Sequence, residues 1–146
     1  MTLVELIVAF TIMLILSTMA LPLARVKVRR EKERALRHAL MEVRAAIDRY
    51  KDASDRGMLP PGKLESEGYP PDLQTMVDGV KMQGTVDKKI RFLRRIPEDP
   101  MTGQRDWGLR AMQDDPKSQA WGGQNVFDIY SKSTDTALDG TKYSEW

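Results

Sequence analysis

From Leu6 to Ala24 the chain carries no charged residue, and most positions are Leu, Ile, Val, Met, Phe or Ala. Nineteen such residues make about 28 Å of α-helix, close to the hydrocarbon thickness of a bilayer. Beyond Pro22 the pattern changes from uniformly apolar to one-sided. Leu36, Leu40, Val43, Ile47 and Tyr50 recur at spacings of four, three, four and three, which marks one face of a helix. Ala35, Ala39 and Ala46 widen that face, and Arg37, Glu42, Arg44, Asp48 and Arg49 occupy the opposite one. Together the two segments predict one helix from Thr2 to about Asp52, about 75 Å long. Pro22 lacks an amide proton and crowds the preceding turn, so a kink or local loosening is expected there. Gly57 and the Pro60-Pro61-Gly62 cluster end the helix.

The remainder reads as a compact region of short elements, giving an α+β chain. Pro70 and Pro71 open a short helix with Asp72 in its first turn, and Asp78-Gly79 closes it. Lys89 to Ile96 is a predicted strand. A turn at Thr102-Gly103 leads to a second, Asp106 to Met112, with which it would form a hairpin. Val126 to Tyr130 is the third strand of a short antiparallel sheet, Thr134 to Thr141 a polar loop, and Tyr143 to Trp146 the close of the chain. The chain therefore divides into an apolar helix segment (1–24), the amphipathic half of the same helix (25–56) and a C-terminal head (57–146).

Length and composition sharpen this picture. The 146 residues hold about one domain, and the part beyond Arg25 offers only a modest core. There is no cysteine, so the disulfides that small secreted domains often rely on are replaced by something else: the helix itself, neighbouring subunits or an ion. The net charge of +2 is too small to argue for nucleic acid. Arg25, Lys27, Arg29, Arg30, Lys32, Arg34 and Arg37 do cluster directly after the apolar stretch. That placement reads as a membrane-surface feature, and no aromatic or recognition motif for nucleic acid accompanies it.

Three readings compete for the apolar segment. A cleavable signal peptide wants a basic stretch ahead of it and a small-residue site behind it; nothing basic precedes Leu6, and Leu21-Pro22-Leu23-Ala24 is a poor site. A plain anchor fits the length but leaves Glu5 unexplained. A carboxylate in a spanning helix costs about 2.5–3.5 kcal/mol at the helix centre on insertion scales, less at the edge, and is usually functional. The apolar stretch supplies no cation to meet it. The nearest unassigned one is a free α-amino group at residue 1, its own or that of a neighbouring copy.

Met1-Thr2-Leu3-Val4-Glu5-Leu6, the long apolar run and Pro22 resemble the mature start of the type IV pilin family. The resemblance implies a prepilin cut by a prepilin peptidase after a glycine ahead of residue 1, with the amine of Met1 then N-methylated. It also implies that Glu5 of one subunit pairs with the residue-1 amine of the next, setting register in a featureless apolar core, as single buried polar groups do in coiled coils. Met1 departs from the phenylalanine usual in the family and is equally readable as a translational start. Gly68-Tyr69-Pro70-Pro71-Asp72-Leu73, the Pro97-Glu98-Asp99-Pro100 turn, Phe127-Asp128-Ile129-Tyr130-Ser131 and the closing Ser144-Glu145-Trp146 are similar to the major (G-type) pseudopilins of type II secretion.

In that family the loop before the C-terminus often binds calcium. Here Ser131, Ser133, Asp135, Thr136 and Asp139 offer the hard oxygen ligands calcium takes. The same residues admit a plainer reading, with Asp135 as a cap and Asp139-Gly140 as an ordinary turn. The lone His38 lacks a catalytic partner pattern, Glu98-Asp99 reads as a rigid turn, Gly122-Gly123 as a loop, and Trp107, Trp121 and Trp146 as anchors. No enzymatic role is expected.

The resemblance thus implies a homo-oligomeric helical filament. Its subunits would wait in the bacterial inner membrane, then join a periplasmic or extracellular fibre with minor pseudopilins and an inner-membrane assembly platform. The alternatives are a type IV pilus subunit for adhesion or motility, and, in a different class, a membrane-tethered binding module.

Overall fold

The computed structural model describes Thr2 to Trp146. Helix α1 runs from Leu3 to Asp55 as 53 residues of continuous α-helix. Its end follows from local chemistry: Arg56 caps it, and Gly57 at φ +69° turns the chain away. Pro22 lies inside α1 without interrupting the helical run.

The second half of α1 is the spine of the head. Leu36, Ala39, Leu40, Val43, Ala46, Ile47 and Ala53 are buried along one stripe, each large side chain contributing about 1.5–3 kcal/mol of burial. Ala35 stays exposed, so the apolar face is narrower there than the sequence pattern suggests. Met76, Phe92, Leu93, Trp107, Val126, Ile129 and Tyr143 pack onto the stripe.

Helix α2 spans Leu73–Asp78. Asp72 is its N-cap, accepting the amide of Thr75 at 2.6 Å. The carbonyl of Met76 accepts the amides of both Phe92 and Leu93. Those two amides are therefore spent on a helix end, and the predicted strand from Lys89 to Ile96 is cut short. Its remnant, β2 (Lys89–Ile90), pairs antiparallel with β1 (Val80–Lys81).

The expected hairpin between residues 89–96 and 106–112 is replaced by a different pairing. Strand β3 (Gly108–Arg110) lies antiparallel to β4 (Asp128–Tyr130), with Leu109 opposite Ile129. Side chains end β3 early, since Asp114 takes the amide of Ala111 and Asn125 that of Met112. The fold is thus α+β with two short two-stranded sheets in place of one sheet of three strands. The turn before β3 does form: Gly103, at φ +69°, donates its amide to the carbonyl of Asp99 at 2.7 Å.

Candidate functional site: the bare apolar helix and its clasp to the head

The first half of α1 is long and apolar enough to cross a membrane, and none of its most apolar window is buried by the head. Leu3, Ile7, Phe10, Leu14, Leu16 and Leu21 are all exposed. Both threonine hydroxyls within it are satisfied by the helix itself: Thr11 donates to the carbonyl of Ile7 at 2.7 Å and Thr18 to that of Ile15 at 2.8 Å. Polar groups tied up in this way suit an apolar surrounding. Pro22 cannot donate to the carbonyl four residues before it, that of Thr18.

At the helix start, Glu5 Oε2 accepts the amide of Thr2 at 2.9 Å, and Thr2 Oγ1 accepts the amide of Glu5 at 3.3 Å. This is a reciprocal capping box. The carboxylate thus has a partner within its own helix, one that the sequence reading overlooked. The signal was present as Thr2-Leu3-Val4-Glu5, the Ser/Thr-x-x-Glu spacing. Met1, expected to carry the methylated amine, lies outside the described residues.

The basic cluster after the apolar segment is divided between two jobs. Arg29 donates through Nε to the hydroxyl of Tyr143 at 3.2 Å and through Nη2 to the carbonyl of Thr136. Glu33 Oε1 accepts the Tyr143 hydroxyl and the amide of Leu138, each at 2.9 Å. One turn on, the Arg37 guanidinium lies 4.3 Å from the Trp146 ring centroid. Arg44 grips Asp128 through Nε at 2.6 Å and also holds the carbonyls of Ile129 and Trp146. These side chains fasten the C-terminal segment along the helix. The remaining cations (Arg25, Lys27, Arg30, Lys32 and Arg34) are exposed and have no hydrogen bond or salt bridge to the head among the described residues.

Three of the five oxygen-bearing residues of the loop are engaged with protein partners through their side chains. Ser131, fully buried, donates its hydroxyl to Asp99 at 2.6 Å. Ser133 Oγ accepts the amide of Asp135, and Asp139 Oδ1 accepts both the amide and the hydroxyl of Thr141. That wrap holds the Asp139 carboxyl below the usual carboxylate range, mainly through the Thr141 hydroxyl. Gly140 at φ +88° completes an ordinary turn. Asp135 and Thr136 are exposed, the Asp135 carboxylate adding to the field on Arg29. No three acidic, histidine or cysteine side chains gather as a metal site among the described residues. Arg29 and Glu33 fasten this loop to α1.

Asp99 carries more than the rigid turn read from its neighbours. Fully buried, it accepts the amide of Met101 and the Ser131 hydroxyl, latching the Pro97–Pro100 turn to the end of β4. Of the three tryptophans, Trp107 is buried with Nε1 on the carbonyl of Pro97, while Trp121 is exposed and Trp146 rests against Tyr143. His38 is exposed. No family model, no curated protein and no solved structure matches the chain.

Proposed function

We propose that this chain is the structural subunit of a helical, type IV pilin-like filament, in its narrower form the pseudopilus of a type II secretion system. One observation carries the reading: a helix of 53 residues is buried along one stripe in its second half and bare on all sides in its first. So large an apolar surface requires a cover, which lipid supplies before assembly and the helices of sister subunits supply afterwards. The head, fastened by Arg29, Glu33 and Arg44, is carried at a fixed angle on that rod. In this account Glu5 leaves its capping partner to meet the residue-1 amine of a neighbour. Prepilin peptidase, minor pseudopilins and an assembly platform in the inner membrane are the partners such a life cycle requires, and the role is structural rather than catalytic.

The mature N-terminus, read by mass spectrometry on protein from the membrane fraction, tests this. N-methylated Met1 at the N-terminus is the expected result. A cut near Ala24 would make the apolar segment a discarded signal peptide and overturn the proposal.

A second reading has one observation in its favour. Glu5 is already satisfied by Thr2, which suits a membrane-tethered binding module whose anchor needs no register charge.

A further inference from the structure

Where α1 emerges from its apolar half, an open groove of about 570 Å³ lies between the helix and the C-terminal loop. Its helix wall is built from Leu21, Ala24, Arg25, Val28, Arg29 and Lys32. At 100° per residue these positions share one face, because they recur at intervals of three and four. Apolar and cationic residues are sorted along that face. Leu21 and Ala24 close the membrane-spanning stretch, and the cations occupy the next turns, about 10 Å of helix from Arg25 to Lys32. One headgroup layer of a bilayer is about 5–7.5 Å deep, so this run of cations spans it and reaches just beyond.

The cations outnumber the one carboxylate in the lining, that of Asp135. Arg29 is spent on Thr136 and Tyr143. Arg25 and Lys32 are exposed and have no protein partner among the described residues. They flank the groove mouth one above the other, separated by two helical turns.

We propose that this groove binds one anionic glycerophospholipid, with its phosphate between Arg25 and Lys32 and its glycerol and upper acyl carbons along Leu21 and Ala24. The site rests on the reading of α1 as a membrane anchor and goes beyond it. A polybasic stretch attracts anionic lipid from any side, whereas this groove selects through one face. Arg30 and Arg34 lie about 150° or more around the helix from the groove and serve as a charge-matched control.

The test uses the full chain in phosphatidylcholine nanodiscs containing a minor share of phosphatidylglycerol, with retained lipid counted by native mass spectrometry. The wild type is expected to keep one phosphatidylglycerol in preference to phosphatidylcholine. The double variant Arg25→Gln/Lys32→Gln is expected to lower that retention about tenfold or more, and Arg30→Gln/Arg34→Gln to leave it unchanged. Equal loss in both variants would show diffuse attraction and overturn the site, as would retention indifferent to headgroup or to either pair. Failure of the wild-type chain to enter nanodiscs at all would contradict the anchor reading and this site with it.

Discussion

The hydroxyl of Tyr143 donates to Glu33 Oε1 at 2.9 Å, joining residues 110 positions apart in the chain. Arg29 reaches the same hydroxyl from one turn below. The last residues of the head are thereby tied to the first turns of α1 that follow the apolar segment. In the proposed filament the head must be held at one angle to its rod, and this contact would do so.

Replacing Tyr143 by Phe keeps the buried ring and removes the shared hydroxyl. A buried polar contact of this kind contributes about 1–3 kcal/mol, so the full chain in detergent should melt at a lower temperature. The loop from Thr134 to Thr141 should also become the first site of limited proteolysis. An unchanged melting point with unchanged cleavage would show that the clasp is idle.

Stability should fall at both ends of the pH scale for different reasons. The Asp139 carboxyl is held low by the Thr141 hydroxyl, and the Asp114 carboxyl by the amides of Ala111 and Gly122. Groups depressed in the fold stabilise it above their unfolded value of about 4 and lose that contribution as pH drops through the folded value. Burial pushes the phenols of Tyr143 and Tyr50 up. Their contribution is present below about pH 10 and is lost as pH rises further. Melting temperature against pH should show a plateau between these limits. In Asp139→Asn the acid limb should become shallower, while the alkaline limb stays in place.

Gly108 has no room for a side chain. A Cβ there would sit within the Tyr130 ring, directly across the β3–β4 ladder. The Arg110 guanidinium lies 4.1 Å from the centroid of the same ring and helps hold it in place. Gly108→Ala should therefore cost about 1–3 kcal/mol, read as a shifted denaturation midpoint with an unchanged slope. No shift would mean that β3 and β4 can separate freely.

Calcium should leave the head's melting temperature where it is. The Ser131 and Ser133 hydroxyls and the Asp139 carboxylate are committed to protein partners, and the loop is fastened by Arg29 and Glu33. A rise specific to calcium over magnesium, lost in Asp135→Asn, would restore the ion site that the family resemblance implies.

How much of this was legible in the chain depends on how local the signals are. The helix was legible end to end, because Leu36, Leu40, Val43 and Ile47 repeat at helical spacing and Gly57 marks the stop. The stop at Gly79 was local as well, while Asp72, expected inside the first turn of α2, is the residue that caps it. Strand pairing was not. Phe92 and Leu93 look like strand residues, yet their amides serve the carbonyl of Met76, sixteen or more positions away. Nor does any short window reveal that Arg29 and Glu33 face the loop that closes the chain. Such contacts depend on tertiary placement, which neither periodicity nor turn chemistry encodes. At the helix start the signal is local: the Thr2-Leu3-Val4-Glu5 spacing encodes the capping box seen there.

Glu5→Gln bears most directly on the filament account. Glutamine keeps a side-chain acceptor for the Thr2 amide, so the capping box and membrane insertion should survive. The charge that would meet a neighbour's terminal amine is gone. Cells carrying this variant should hold normal amounts of membrane-inserted subunit and assemble few or no filaments by cross-linking and electron microscopy. Filaments at wild-type abundance would mean that Glu5 serves only to start its own helix, and would contradict the account.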